Sequence, residues 1–82
     1  MKKNRNRFVE LYLNADNATR LKMECFAVSI AHKITMRDLC VRILGCSYQW
    51  LNMACRGESS EERVEELRAK LLLFIEVQNV RN

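Results

Sequence analysis

Apolar residues recur at helical spacing over most of the chain, and residues that favour helix caps punctuate them. Leu21, Cys25 and Val28 lie on one stripe, with Met23, Phe26, Ala27 and Ile30 on a second. This spacing predicts a helix from Ala18 to His32, and Asn14, Asp16 and Asn17 just ahead of it are good N-caps. A helix apolar on two sides is expected at the centre of the fold, touched from both directions. Thr35-Met-Arg-Asp38 has the form of a capping box, with Asp in place of the usual Glu. Leu39, Cys40, Ile43 and Leu44 then give the next helix its apolar face, up to Gly45, a residue suited to the left-handed end of a helix. Ser47 caps a further helix, Tyr48 to Arg56, which Gly57 closes in the same way. Ser59-Ser-Glu-Glu62 is a second capping box and opens a helix reaching at least Lys70, with Val77 as its farther limit.

The two ends are read differently. Met1 to Arg7 carries Lys2, Lys3, Arg5 and Arg7 with nothing large and apolar after Met1, so residues 1–7 are expected to be a flexible basic arm. Residues 8–82 then form one domain. From Arg7 to Leu13 the pattern fits a short strand (Val9, Leu11, Leu13) or a short helix (Phe8, Leu11, Tyr12), and we favour the helix. Val64, Leu67, Leu71 and Phe74 form a stripe that packs a helix on the core. Leu72, Leu73, Ile75 and Val77 make residues 71–77 apolar nearly all round, so one face is left over. It is a candidate homodimer contact through 64–77, as helix or as exchanged strand. The alternative is that the Phe8–Leu13 segment covers it.

Composition narrows the class. The 82 residues include no proline and only two glycines, too few turn residues for a β-sandwich or barrel. We expect an all-α bundle of about five helices containing a helix-turn-helix, with a short strand at one end left open. The longest apolar run, Leu71 to Ile75, is far below the roughly 20 residues that span a bilayer. The basic start is not followed by an apolar signal core, so a cytoplasmic protein is expected. Cys25, Cys40, Cys46 and Cys55 contain no C-x-x-C pair, and His32 stands alone. That spacing is poor for a metal, and in a reducing compartment such cysteines act as small buried hydrophobes. No nucleophile–base pairing and no glycine-rich phosphate loop can be drawn, so neither an enzyme, a cofactor nor a small-molecule substrate is expected.

The net charge of +4 is unevenly placed. Residues 1–56 hold ten Lys/Arg against four Asp/Glu, and residues 57–82 hold four against six. The positive field therefore belongs to the first two-thirds, which points to a polyanion there. Within it, Arg37 to Gly57 has a specific layout: an amphipathic helix, Gly-x-Ser, and a second helix closed by Arg-Gly. Two helices joined by a tight glycine-containing turn can place the second in the DNA major groove. Gly45 permits the turn, Cys46 plugs the corner, and Ser47 caps the second helix close to where a phosphate would pass. At about 100° per residue, Leu51, Ala54 and Cys55 share one side of that helix. Gln49, Met53 and Arg56 take the other, with Asn52 on its flank. Gln and Asn can pair bidentately with adenine, and Arg with guanine or a phosphate. Tyr48 stands where a thymine methyl or a phosphate would meet the helix N-terminus.

In Ile34-Thr-Met-Arg-Asp-Leu39, Leu44-Gly-Cys-Ser47, Leu51 and Arg56-Gly57 the chain resembles the lambda-repressor-like, or Cro-type, helix-turn-helix family, over roughly Ala18 to Leu73. The resemblance implies a five-helix domain that binds operator DNA, often as a dimer, in phage, plasmid or bacterial regulators. It places recognition contacts at Ser47, Tyr48, Gln49, Asn52 and Arg56. Arg37, Arg42 and the arm residues Lys2, Lys3, Arg5 and Arg7 are expected on phosphates, the arm being similar only in composition to DNA-wrapping arms. Three features depart from the pattern. Val41 stands where the family has alanine, which is expected to hold the two helices further apart. The stretch Thr35 to Gly45 is one residue longer than usual. Trp50 is large for its position, either as core cover or as an interaction surface. The second candidate function is a protein-interaction module on the same fold, such as a phage-encoded inhibitor presenting Tyr48, Trp50 and Met53.

Overall fold

The computed structural model describes the backbone of residues 2–81 and the side chains of residues 7–80. Five helices follow one another: α1 (Lys2–Asn14), α2 (Asn17–His32), α3 (Met36–Leu39, continued by a π-helical turn, Cys40–Leu44), α4 (Tyr48–Cys55) and α5 (Glu61–Arg81). No strand occurs among the described residues, and the fold is an all-α bundle. The two segments that fitted either pattern, 8–13 and 71–77, are both helical.

The starts and stops have the expected chemistry, with one shift. Asp16 accepts the Thr19 N–H at 2.8 Å, Thr35 Oγ1 that of Asp38 at 3.0 Å, and Ser47 Oγ that of Trp50 at 3.1 Å. The last helix is capped by Ser60, which accepts the Arg63 N–H at 3.1 Å, and not by Ser59. Gly45 (φ 67°) and Gly57 (φ 80°) are left-handed, as is Lys33 (φ 56°), the one residue with a side chain in that region among those described. Behind Lys33, the Ile34 N–H donates to Ser29 O at 3.1 Å and the Ser29 hydroxyl to Ile34 O at 2.5 Å, closing the end of α2.

The core gathers Leu21, Cys25 and Val28 of α2, Leu39, Cys40 and Leu44 of α3, Leu51 and Ala54 of α4, and Val64, Leu67 and Leu71 of α5. Helix α2 is not sandwiched. Its second stripe is largely open, with Phe26, Ala27 and Ile30 exposed, because α1 does not lie along it. The basic segment expected as an arm has helical backbone from Lys2 onward, continuous with the rest of α1. Neither glycine nor proline stands between Lys2 and Phe8, and a helix once nucleated propagates cheaply through such residues.

Helix α1 is tied to the bundle mainly by polar bonds at its C-terminal end. Arg68 on α5 makes a two-pronged bond to Glu24 (2.9 and 2.8 Å) and also reaches Asn17 Oδ1 (2.9 Å) and Tyr12 Oη (3.2 Å). The Tyr12 hydroxyl donates to Glu24, and Arg20 donates to Tyr12 O at 2.9 Å and to Leu13 O. The segment 8–13 does not cover 71–77: Phe8, Leu11 and Leu13 are exposed, and so are Leu72, Leu73 and Val77. The surface left over on α5 is narrower than the 64–77 stripe, since Val64, Leu67 and Leu71 are buried in the chain's own core.

Candidate nucleic-acid interface

Helix α4 is held from behind and bare in front. Leu51 and Ala54 have no exposure, and Cys55 packs against the same core. Gln49 and Arg56 are exposed on the outer side, Tyr48 is partly open, and Asn52 is half-buried on the flank. Met53, expected outward, is also half-buried, because the α4–α5 turn folds over it beside Trp50, Glu58 and Ser59.

Behind Gly45, α3 does not end as an ordinary helix. The Gly45 N–H donates to Cys40 O at 2.7 Å, five residues back, and the Cys46 N–H donates to the same oxygen at 3.2 Å. A π turn is how a helix accommodates one more residue than its α repeat allows. Here it spans Cys40 to Leu44. It also corrects the expected role of Val41, which is 74% exposed and spaces nothing. Cys40 is buried beside Leu44, on the apolar face expected from the spacing.

The front of α4 forms a shallow concavity with α2, lined by Lys22, Phe26, Met36, Tyr48, Asn52, Cys55 and Arg56. Lys22, Phe26 and Met36 were not foreseen at this surface. The available signal was that Lys22 and Phe26 each follow a buried residue of α2 (Leu21, Cys25), so the two share one edge of that helix. Of the expected phosphate contacts, Arg37 is exposed with its guanidinium 5.4 Å from the Tyr48 ring centre, and Arg42 is exposed. Arg7 is exposed on α1, while the side chains of Lys2, Lys3 and Arg5 lie outside the described residues. Arg63, also not foreseen, stacks on Trp50 at 4.3 Å, on the other side of Ser47. Trp50, at 45% exposure, is neither core cover nor a bare apolar surface.

Two partners modify these groups. Arg56 is held by Glu58 through bonds of 3.3 and 3.2 Å, with both side chains more than half exposed. Ser47 Oγ already accepts the Trp50 N–H, which leaves its hydroxyl hydrogen as the group available to a phosphate. The four cysteines are free. Burial pushes all their thiols up, that of Cys40 to about 11, so they remain protonated packing groups at neutral pH.

Compared with family models, curated proteins and solved structures, the chain finds a match in none of the three. The likeness to Cro-type regulators stands on the residues quoted above. No helix among the described residues is long and apolar enough to cross a membrane.

Proposed function

We propose that the chain is a sequence-specific double-stranded DNA-binding protein of Cro type, a regulator that acts by occupying its operator. The observation that carries this reading is the presentation of α4. Its apolar side is anchored, while Gln49, Asn52 and Arg56 stand at an open face flanked by Lys22 and Arg37. The amides set base preference, and Arg37, Arg42, Lys22 and the Ser47 end of α4 bind phosphates. Arg56 exchanges Glu58 for a DNA acceptor, which an exposed ion pair allows at little cost. Such a protein works in the cytoplasm of a bacterium or its phage, and reading a symmetric operator calls for two copies.

The protein-interaction alternative draws on Tyr48 and Trp50. Both carry an arginine near the ring, so this surface brings positive charge to whatever it meets. That favours a polyanion over an apolar partner. Selection of bound duplexes from a random library, followed by affinity measurement against salt, tests the proposal. We expect one enriched motif and affinity falling steeply as salt rises. Enrichment of no motif, with a weak salt dependence, would refute it.

A further inference from the structure

The hollow between α2 and α4 has a chemistry that the polar side of α4 does not explain. Residues one turn apart form its two walls, Lys22 and Phe26 on α2, and Tyr48, Asn52 and Arg56 on α4. Its volume is about 270 Å³. Apolar and charged groups are sorted within it by depth. Met36 and Cys55 are half-buried and pack against the core, while the rings of Phe26 and Tyr48 are more open, at 47% and 38% exposure. The cations Lys22 and Arg56 are exposed at the rim, and among the described residues no acid lines the hollow.

An occupant suited to this arrangement is apolar where it enters and has negative charge around it. In the major groove of a duplex, the C5-methyl of thymine is the apolar group on the base edges, and phosphates flank it on both sides. Asn52 strengthens the match, because it lines the same hollow. An amide that pairs with adenine brings that adenine's thymine partner with it, and the methyl of the pair lies on the same groove edge. Phosphates then suit Lys22 and Arg56 at the rim, and the methyl suits the apolar part below them.

We propose that this hollow reads thymine: the methyl of the A·T pair bound by Asn52 enters it and packs on Phe26, a reading residue supplied by α2 from outside the helix-turn-helix. The inference rests on the operator-binding reading and names one base pair that the operator must contain. In the duplex selected by the wild type, each thymine is replaced in turn by uracil, which removes the methyl and leaves base pairing intact. At the pair whose readout Asn52→Ala relaxes, uracil is expected to weaken wild-type binding about fourfold, the worth of one buried methyl. Phe26→Ala should bind the thymine and uracil duplexes equally, whereas Phe26→Leu should still prefer thymine. Phe26 is half exposed, so circular dichroism should report unchanged helicity for both variants. A wild type indifferent to uracil at that pair, or a methyl effect of the same size in Phe26→Ala as in wild type, would overturn this proposal and leave operator binding standing. A wild type that enriches no motif would overturn both.

Discussion

Lys33 ends α2 in a conformation that places the Cβ of an L-residue too close to the carbonyl oxygen, at a cost of about 1–2 kcal/mol. Lys33→Gly should therefore raise stability by roughly 0.5–1 kcal/mol, after the added freedom of the unfolded chain is deducted; an unchanged denaturation midpoint would show that the Ser29 bonds already offset the strain. Gly45→Ala runs the opposite way. No atom lies within 4 Å of the added methyl, so the loss of about 1–2 kcal/mol comes from φ alone. On the outer face, Asn52→Ala should cost roughly 1–3 kcal/mol on the selected duplex and relax one base position. Equal loss on every sequence would assign Asn52 to the backbone. At this scale the sequence was informative where a residue type has one job. Gly45, Gly57, Ser47 and Thr35 were legible from chemistry alone. Lys33 was not, because nothing in its side chain marks a left-handed turn.

The π turn in α3 and the junction of α1, α2 and α5 belong to the scale of elements, and neither was visible in periodicity. An extra residue in a helix can be counted against a family pattern, yet its effect on which face turns inward depends on where the ladder widens. Val41, which the periodicity left off the apolar face, was expected to hold the two helices apart and stands outside. The α1 junction was missed for another reason. It joins Tyr12, Asn17, Glu24 and Arg68 over as many as 56 residues, and polar residues on separate helices leave no periodic signal. With both side chains of the Arg68–Glu24 pair more than four-fifths covered, Arg68→Ala should destabilise the fold by roughly 2–4 kcal/mol in thermal unfolding, by leaving a buried carboxylate without its partner. The hydrogen bond to Glu24 also raises the Tyr12 pKa above its ordinary value of 10.0. A raised folded-state pKa means that the folded form holds the proton more tightly. The contribution is fully present below pH 10 and is lost as pH climbs through the folded value. Tyr12→Phe should be less stable at neutral pH but should lose less between pH 10 and 11, which denaturant titrations at the two pH values would reveal.

The molecule as a whole is less compact than its length allows. Its radius of gyration is 13.3 Å, whereas a compact chain of this size should have about 11.7 Å. The extents of 41 × 34 × 19 Å describe a slab from which helical ends project. The helix count, the order of elements and the inner side of α4 could be derived from the sequence because they follow from burial. The placing of α1 could not, because Phe8–Leu13 is apolar enough to suit either its own bundle or another surface. Among the described residues, α1 adds no side chain to the buried core. A chain lacking residues 1–14 should therefore still unfold in one cooperative step, which thermal denaturation followed by circular dichroism checks. The beginning of the chain would then be a detachable fitting, and changes there would leave the outer side of α4 undisturbed.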